Sequence, residues 1–301
     1  YLYDPGLFFD EDGKVYVVHG QGTLYLTELN SDVKSVKGKP VKIWQGGFKN
    51  AHELGGGFGM EGSHMYRING KYYITCPAGG TGGWQICLRS DNIYGPYEHK
   101  LIMNDWSSYP KNGLHQGGMV QLKNGDWWFM IMQDRGPIGR VPCLVPVKWI
   151  DGWPMLGDEG KDLITYPKPA TGKKSKIKSP ATTDEFNASQ LGLQWQWNHN
   201  PDNSRWSLKE RKGYMRLYAS QASTLKDARN TLTQRVQGPS CEGSVEMEVT
   251  GLKDGNIAGF GIFEFPYAYV AIRQESGRRK IVMCNDCLLY TSPSPRDRTR
   301  S

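Results

Sequence analysis

A threefold internal repeat constrains this chain more than any other feature. Turn dipeptides stand at Asp12-Gly13, Asn69-Gly70 and Asn124-Gly125, and strand-forming residues follow each at once: Val15-Tyr16, Tyr72-Tyr73 and Trp127-Trp128. Asx-Gly between apolar runs is a strong hairpin signal, because both residues tolerate the left-handed backbone that a tight turn needs. The three glycines are 57 and 55 residues apart, and each unit holds a further strand-like run: Thr23 to Leu26, Gln85 to Leu88 and Pro142 to Val147. That period suits one four-stranded antiparallel sheet per unit, which predicts β-propeller blades. Composition agrees with an all-β chain, since glycine is 37 of 301 residues and aromatics are 12%.

Offsets within the repeat carry the functional reading. Asp4 lies nine residues before Gly13, and Glu61 lies nine residues before Gly70. In a propeller the first strand of each blade lines the axis, so equivalent positions at its start converge on one axial pocket. In the third unit the corresponding neighbourhood is His115-Gln116. Two carboxylates and a histidine are therefore expected to face one another. The alternative, that Asp4 and Glu61 are ordinary polar residues at strand starts, has against it that acids are depleted in strands yet here recur in register.

Other classes drop out. No window approaches the roughly 18 uninterrupted apolar residues of a membrane helix. The net charge of +7 concentrates in Lys173, Lys174, Lys176 and Lys178, beside Pro167, Pro169 and Pro180. That pattern reads as a solvated linker rather than a nucleic-acid surface. Cys76, Cys87 and Cys143 sit in apolar runs and are expected to be free buried thiols, while the single Cys284-x-x-Cys287 pair is weak support for zinc. The chain opens on Tyr1 with neither initiator Met nor secretory leader, and assigns no compartment.

The ordered motifs resemble glycoside hydrolase family 43. They are Asp4-Pro5-Gly6-Leu7-Phe8-Phe9-Asp10-Glu11-Asp12-Gly13-Lys14-Val15-Tyr16, then Glu61-Gly62-Ser63-His64-Met65-Tyr66 with Asn69-Gly70-Lys71-Tyr72-Tyr73, then His115-Gln116-Gly117-Gly118 and Gly139-Arg140. The resemblance implies a five-bladed propeller acting on arabinose- or xylose-containing oligosaccharides and polysaccharides by the inverting two-carboxylate mechanism, in which an acid protonates the leaving oxygen and a base activates water. By position it makes Glu61 the general acid and Asp4 the carboxylate that orients the acid and raises its pKa. It makes His115 the axial histidine, which in some members helps to hold a calcium ion through water; no cofactor is required. Arg140 is implied to reach sugar hydroxyls, and Thr81 to form a pocket wall. Phe58 and Trp84 are candidate rings for stacking on the sugar, with core packing the equal alternative for each. The family's base, an Asp of the first blade, has no counterpart upstream of Asp4. With about three blades visible where closure needs roughly four to eight, the propeller is expected to be partial.

The expected boundaries are a propeller over 1–165, a linker over 166–183, a partial antiparallel β-sandwich over 184–287 and a non-native, adaptor-like tail over 288–301. The sandwich reading rests on Asp184-Glu185-Phe186, Leu191-Gly192-Leu193-Gln194-Trp195-Gln196-Trp197 and Trp206-Ser207-Leu208, which resemble the concanavalin-like module that follows the propeller in many members. Alternation at Val245, Met247 and Val249 predicts a strand there, and Lys212-Gly213, Asp254-Gly255 and Ser276-Gly277 predict turns. The competing functional reading is a catalytically silent carbohydrate-binding propeller with a sandwich module.

Overall fold

The computed structural model describes residues 2–46, 60–105, 112–161, 165–170, 172, 176, 178–238, 240–264 and 266–285. Two compact units divide the chain, Tyr1–Lys174 and Ser175–Ser301. Among the described residues the only helical pieces are two single 3-10 turns, and no helix is long and apolar enough to cross a membrane.

The described residues of the first unit include twelve strands. Strands β1 (Gly6–Phe9), β2 (Val15–Gln21), β3 (Thr23–Leu29) and β4 (Val41–Gln45) form one antiparallel sheet in sequential order. The same order recurs in β5 (His64–Ile68), β6 (Lys71–Ala78), β7 (Trp84–Ser90) and β8 (Glu98–Met103). It recurs again in β9 (Leu114–Gln121), β10 (Trp127–Asp134), β11 (Arg140–Ile150) and β12 (Trp153–Leu156). These three meanders are propeller blades. Each Asx-Gly pair joins the first strand of a blade to its second. In the middle blade Ile68 pairs with Lys71 across Asn69 (φ 50°) and Gly70 (φ 79°), the two left-handed residues of a primed hairpin turn. Asp151 (φ 50°) and Gly152 (φ 73°) make the same turn between β11 and β12.

Burial explains why the period of two fades in the middle blade. Ile74, Cys76, Ile86 and Leu88 pack with Phe8, Tyr16, Val18 and Leu24 of the first blade. Their neighbours Tyr73 and Cys87 point the other way, into a second core with Leu114, Phe129, Ile131 and Val145 of the third. The middle blade is thus sandwiched, and its strand β6 is buried at seven consecutive positions. Each such side chain contributes about 1.5–3 kcal/mol on leaving water. At the first interface β1 runs so close to the β5 entry that a Cβ on Gly6 would lie 2.0 Å from the Ser63 carbonyl oxygen. A polar clasp closes the opposite end of β1: the buried Asp10 carboxylate accepts from the Tyr72 hydroxyl (2.8 Å) and from Arg67 Nη1 (3.1 Å).

The second unit is an antiparallel β-sandwich module. Strands β13 (Trp195–Trp197) and β16 (Leu232–Gln234) pair, as do β14 (Trp206–Ser207) and β15 (Arg216–Leu217). A three-stranded sheet comprises β17 (Ile257–Ile262), β18 (Ala268–Glu275) and β19 (Arg278–Asn285). The Asp184 carboxylate accepts from the Phe186 amide and from the Trp195 indole, both at 2.7 Å, while the two rings stack 5.5 Å apart. Gly213, Gly255 and Gly277 all have left-handed φ, as their turns require. The strand expected over Val245, Met247 and Val249 does not form, because no described neighbour pairs with it; Val245 and Met247 are exposed. Cys76, Cys87 and Cys143 are in no disulfide, the first two fully buried and Cys143 partly so. Cys287 and the tail 288–301 lie outside the described residues.

Candidate active site

Register places the site at one end of the first strands. Gly6 pairs with Val18, and the Gly20 amide donates to the Tyr3 carbonyl (2.9 Å), so the end of β2 lies beside Tyr3 and Asp4. From there the Gln21 side-chain amide reaches into the next blade and donates to Glu61 Oε2 at 2.6 Å. Glu61 precedes β5 just as Asp4 precedes β1. Asp4 is exposed and holds a left-handed backbone (φ 44°), the conformation that Gln116 (φ 58°) adopts at the same offset in the third blade. A bulky or β-branched residue is strained there, whereas Asp is among the side chains that tolerate it.

The third blade joins through Gln116. A Cβ on Gly62, the residue after Glu61, would lie 3.0 Å from Gln116 Nε2, so the two strand entries are in contact. The Gln116 amide is held by the fully buried Gln85 of β7, whose Oε1 accepts at 2.7 Å. On its other side Gln116 Oε1 accepts from Arg140 Nη1 (3.4 Å), and Arg140 Nε lies 3.6 Å from Asp134 Oδ1. Asp134 Oδ2 in turn stands 3.8 Å from His115 Nε2. The His115 residue is 5% exposed, and its Nδ1 faces the Gly113 carbonyl (3.1 Å), which makes Nδ1 the donor of that bond. Gly83 lies against that ring, and a Cβ there would come within 2.9 Å of Cγ.

The sequence candidates thus separate. Asp4, Glu61, His115 and Arg140 lie at strand ends that the contacts above join into one polar end of the three blades. Thr81 sits in the 3-10 turn Gly80–Gly82, just before Gly83. Phe58 lies outside the described residues. Trp84 is a core residue and not a stacking platform: it is 7% exposed, belongs to the first interblade core and passes directly over Gly79, where a Cβ would lie 2.3 Å from its ring. Gln21, Gln85 and Asp134 were not singled out by sequence, since each acts through a partner in another strand or blade. Among the described residues no three of His, Cys, Asp and Glu gather as direct metal ligands, and a calcium ion reached from His115 through water is a different arrangement. Of the other histidines, His19 is buried, stacks on Tyr25 and faces Thr27 Oγ1 (2.9 Å); burial lowers its pKa and keeps it a neutral core residue.

Carboxylates, primary amides and a guanidinium gathered at one end of three blades suit the recognition of sugar hydroxyls, and with the following sandwich they define a carbohydrate-active propeller. The glycosyl hydrolases family 43 model matches residues 2–154, and the model for the beta xylosidase C-terminal concanavalin A-like domain matches residues 183–293. The chain belongs to glycoside hydrolase family 43. It is 33% identical over 313 residues to a beta-xylosidase of Formosa agariphila, covering 86% of this chain and 52% of that protein. It is 33% identical over 230 residues to a non-reducing end alpha-L-arabinofuranosidase of Bacteroides ovatus, covering 71% of this chain and 42% of the other. A solved bifunctional GH43-CE protein of Bacteroides eggerthii superposes with a TM-score of 0.80 at 39% identity, over 95% of this chain and 37% of that one. The chain therefore spans about half the length of the curated relatives it matches.

Proposed function

We propose that the full-length protein is an inverting exo-glycosidase that removes terminal α-L-arabinofuranosyl or β-D-xylosyl residues from hemicellulose or arabinan, with Glu61 as general acid. The observation that carries this reading is the setting of Glu61. Its carboxyl lies where the entries of three blades meet, with Oε2 held by Gln21 and Oε1 without a partner among the described residues. A carboxyl anchored at one oxygen keeps the other available to carry the proton. In the reaction Glu61 gives that proton to the glycosidic oxygen as the bond from the anomeric carbon breaks, while water adds to the opposite face. Asp4 stands at the equivalent position of the neighbouring blade, beside the end of β2 from which Gln21 reaches Glu61. Arg140 and the Gln116 side-chain amide nitrogen offer donors to sugar hydroxyls. The general base is not assigned to a residue of this chain.

In the full-length protein, Glu61→Gln lowers turnover of natural arabinosides or xylosides by about 10² to 10⁴. Aryl glycosides with good leaving groups, which need little protonation, lose much less. Equal losses on both substrate types refute Glu61 as the acid. A wild-type protein that binds xylo- or arabino-oligosaccharides without hydrolysing them establishes the silent binding module instead.

A further inference from the structure

Asp134 ends β10 and Arg140 begins β11, and the two are direct cross-strand partners. The turn between them is closed by backbone bonds, Arg135 amide to Gly139 carbonyl and Gly139 amide to Gly136 carbonyl, both 2.9 Å. On the other side, β10 pairs with β9, so His115 lies one strand away, opposite Met132. Three adjacent strands thus bring an imidazole, a carboxylate and a guanidinium into a row. Exposure grades across it: the side chains are 6%, 22% and 66% accessible for His115, Asp134 and Arg140. Arg140 is the one that reaches out toward solvent, and a long exposed side chain loses rotamer entropy when it must hold a single geometry. Two contacts restrain it here, Nε toward Asp134 and Nη1 on Gln116, and Nη2 has no acceptor among the described residues.

We propose that Asp134 is a positioning residue for substrate binding: it holds the base of the Arg140 guanidinium at the end of β10, next to the His115 ring, so that the free Nη2 is presented to a sugar hydroxyl beside Glu61. This rests on the glycosidase reading for its substrate, but the anchoring of Arg140 is a property of the protein alone. Asp134 touches neither the leaving oxygen nor the acid, so its loss weakens binding in the ground and transition states alike. KM then rises and kcat holds. A planar guanidinium fixed at two edges offers its third with little entropy left to lose on binding.

The test is a double-mutant cycle in the full-length protein, assayed on an aryl arabinofuranoside and an aryl xyloside. Asp134→Ala is expected to raise KM about tenfold, the scale of one charge-assisted hydrogen bond, with kcat within about twofold of wild type. Asp134→Asn keeps the size and one acceptor oxygen and recovers most of the loss. In an Arg140→Ala background Asp134→Ala adds nothing further. An unchanged KM in Asp134→Ala, or losses that add in the double mutant, overturns the proposal. A wild-type protein inactive on both substrates refutes the glycosidase reading instead. In that case the Arg140 Nε–H signal in a 15N-labelled sample decides: slow solvent exchange in wild type and fast exchange in Asp134→Ala supports the anchoring, and equal exchange overturns it.

Discussion

Replacing Asp10 by Ala removes the acceptor that holds the first two blades together at the far end of β1. Its carboxylate takes three donors: the Glu11 amide at 2.8 Å, the Tyr72 hydroxyl at 2.8 Å and Arg67 Nη1 at 3.1 Å, with the side chain 4% exposed. Tyr72 is itself buried; burial first, and the bond to Asp10 second, raises its pKa, so the phenol stays protonated as a donor well above neutral pH. Without Asp10 the Tyr72 hydroxyl is left with no partner, at a cost of about 1–3 kcal/mol. Arg67 is 29% exposed and keeps Glu11 at 3.4 Å, so water and that carboxylate offset most of its loss. The combined effect is about 2–4 kcal/mol, which at roughly 2–4 °C per kcal/mol for a unit of this size lowers Tm by about 5–15 °C. Thermal unfolding of the full-length protein, followed by near-ultraviolet circular dichroism at pH 7, measures it. Asp10→Asn, which retains one acceptor, falls between, and Tyr72→Phe removes the orphan, so Asp10→Ala costs far less in that background. A Tm drop under about 2 °C, or the same drop with Phe at 72, refutes the clasp.

Two further perturbations probe the packing. Gly6→Ala places a methyl 2.0 Å from the Ser63 carbonyl oxygen, which neither backbone can yield, and is expected to cost at least about 3 kcal/mol in thermal melts and to displace Glu61 enough to lower activity. Gly125→Ala, whose Cβ meets nothing within 4 Å but whose φ is +91°, costs only about 1 kcal/mol; equal costs at the two sites would contradict the close approach of β1 and β5. Among the free thiols, exposed Cys241 reacts with a disulfide reagent in the native state, whereas buried Cys76 and Cys87 react only on unfolding. Burial pushes the Cys76 thiol up to about 12, so its contribution to stability is whole below the unfolded value near 8.5 and is lost as pH rises toward 12; denaturant titrations across that window show a fall that Cys76→Ala reduces.

The sequence by itself determined the blades, because their signals are local. Asn69-Gly70 needs only its own two left-handed φ values to turn the chain, and repetition of such turns at near-equal spacing sets three four-stranded meanders in register. Equal offsets from those turns likewise put Asp4 and Glu61 just ahead of β1 and β5, and Gln116 near the start of β9. Tertiary structure decided everything that depends on what is stacked against a strand. Trp84 in a glycine-rich stretch reads equally as a sugar platform or a core residue; the first blade covers it, and it is core. Val245, Met247 and Val249 alternate like a strand, but a strand exists only where a neighbour accepts its hydrogen bonds. The bond from Gln21 to Glu61 spans 40 residues, and no periodicity in a chain records which amide a distant carboxylate will meet. Asp134, an acid beside an arginine at a strand end, acquires its meaning only when β9, β10 and β11 lie side by side, because a charge is positioned by its neighbours in space.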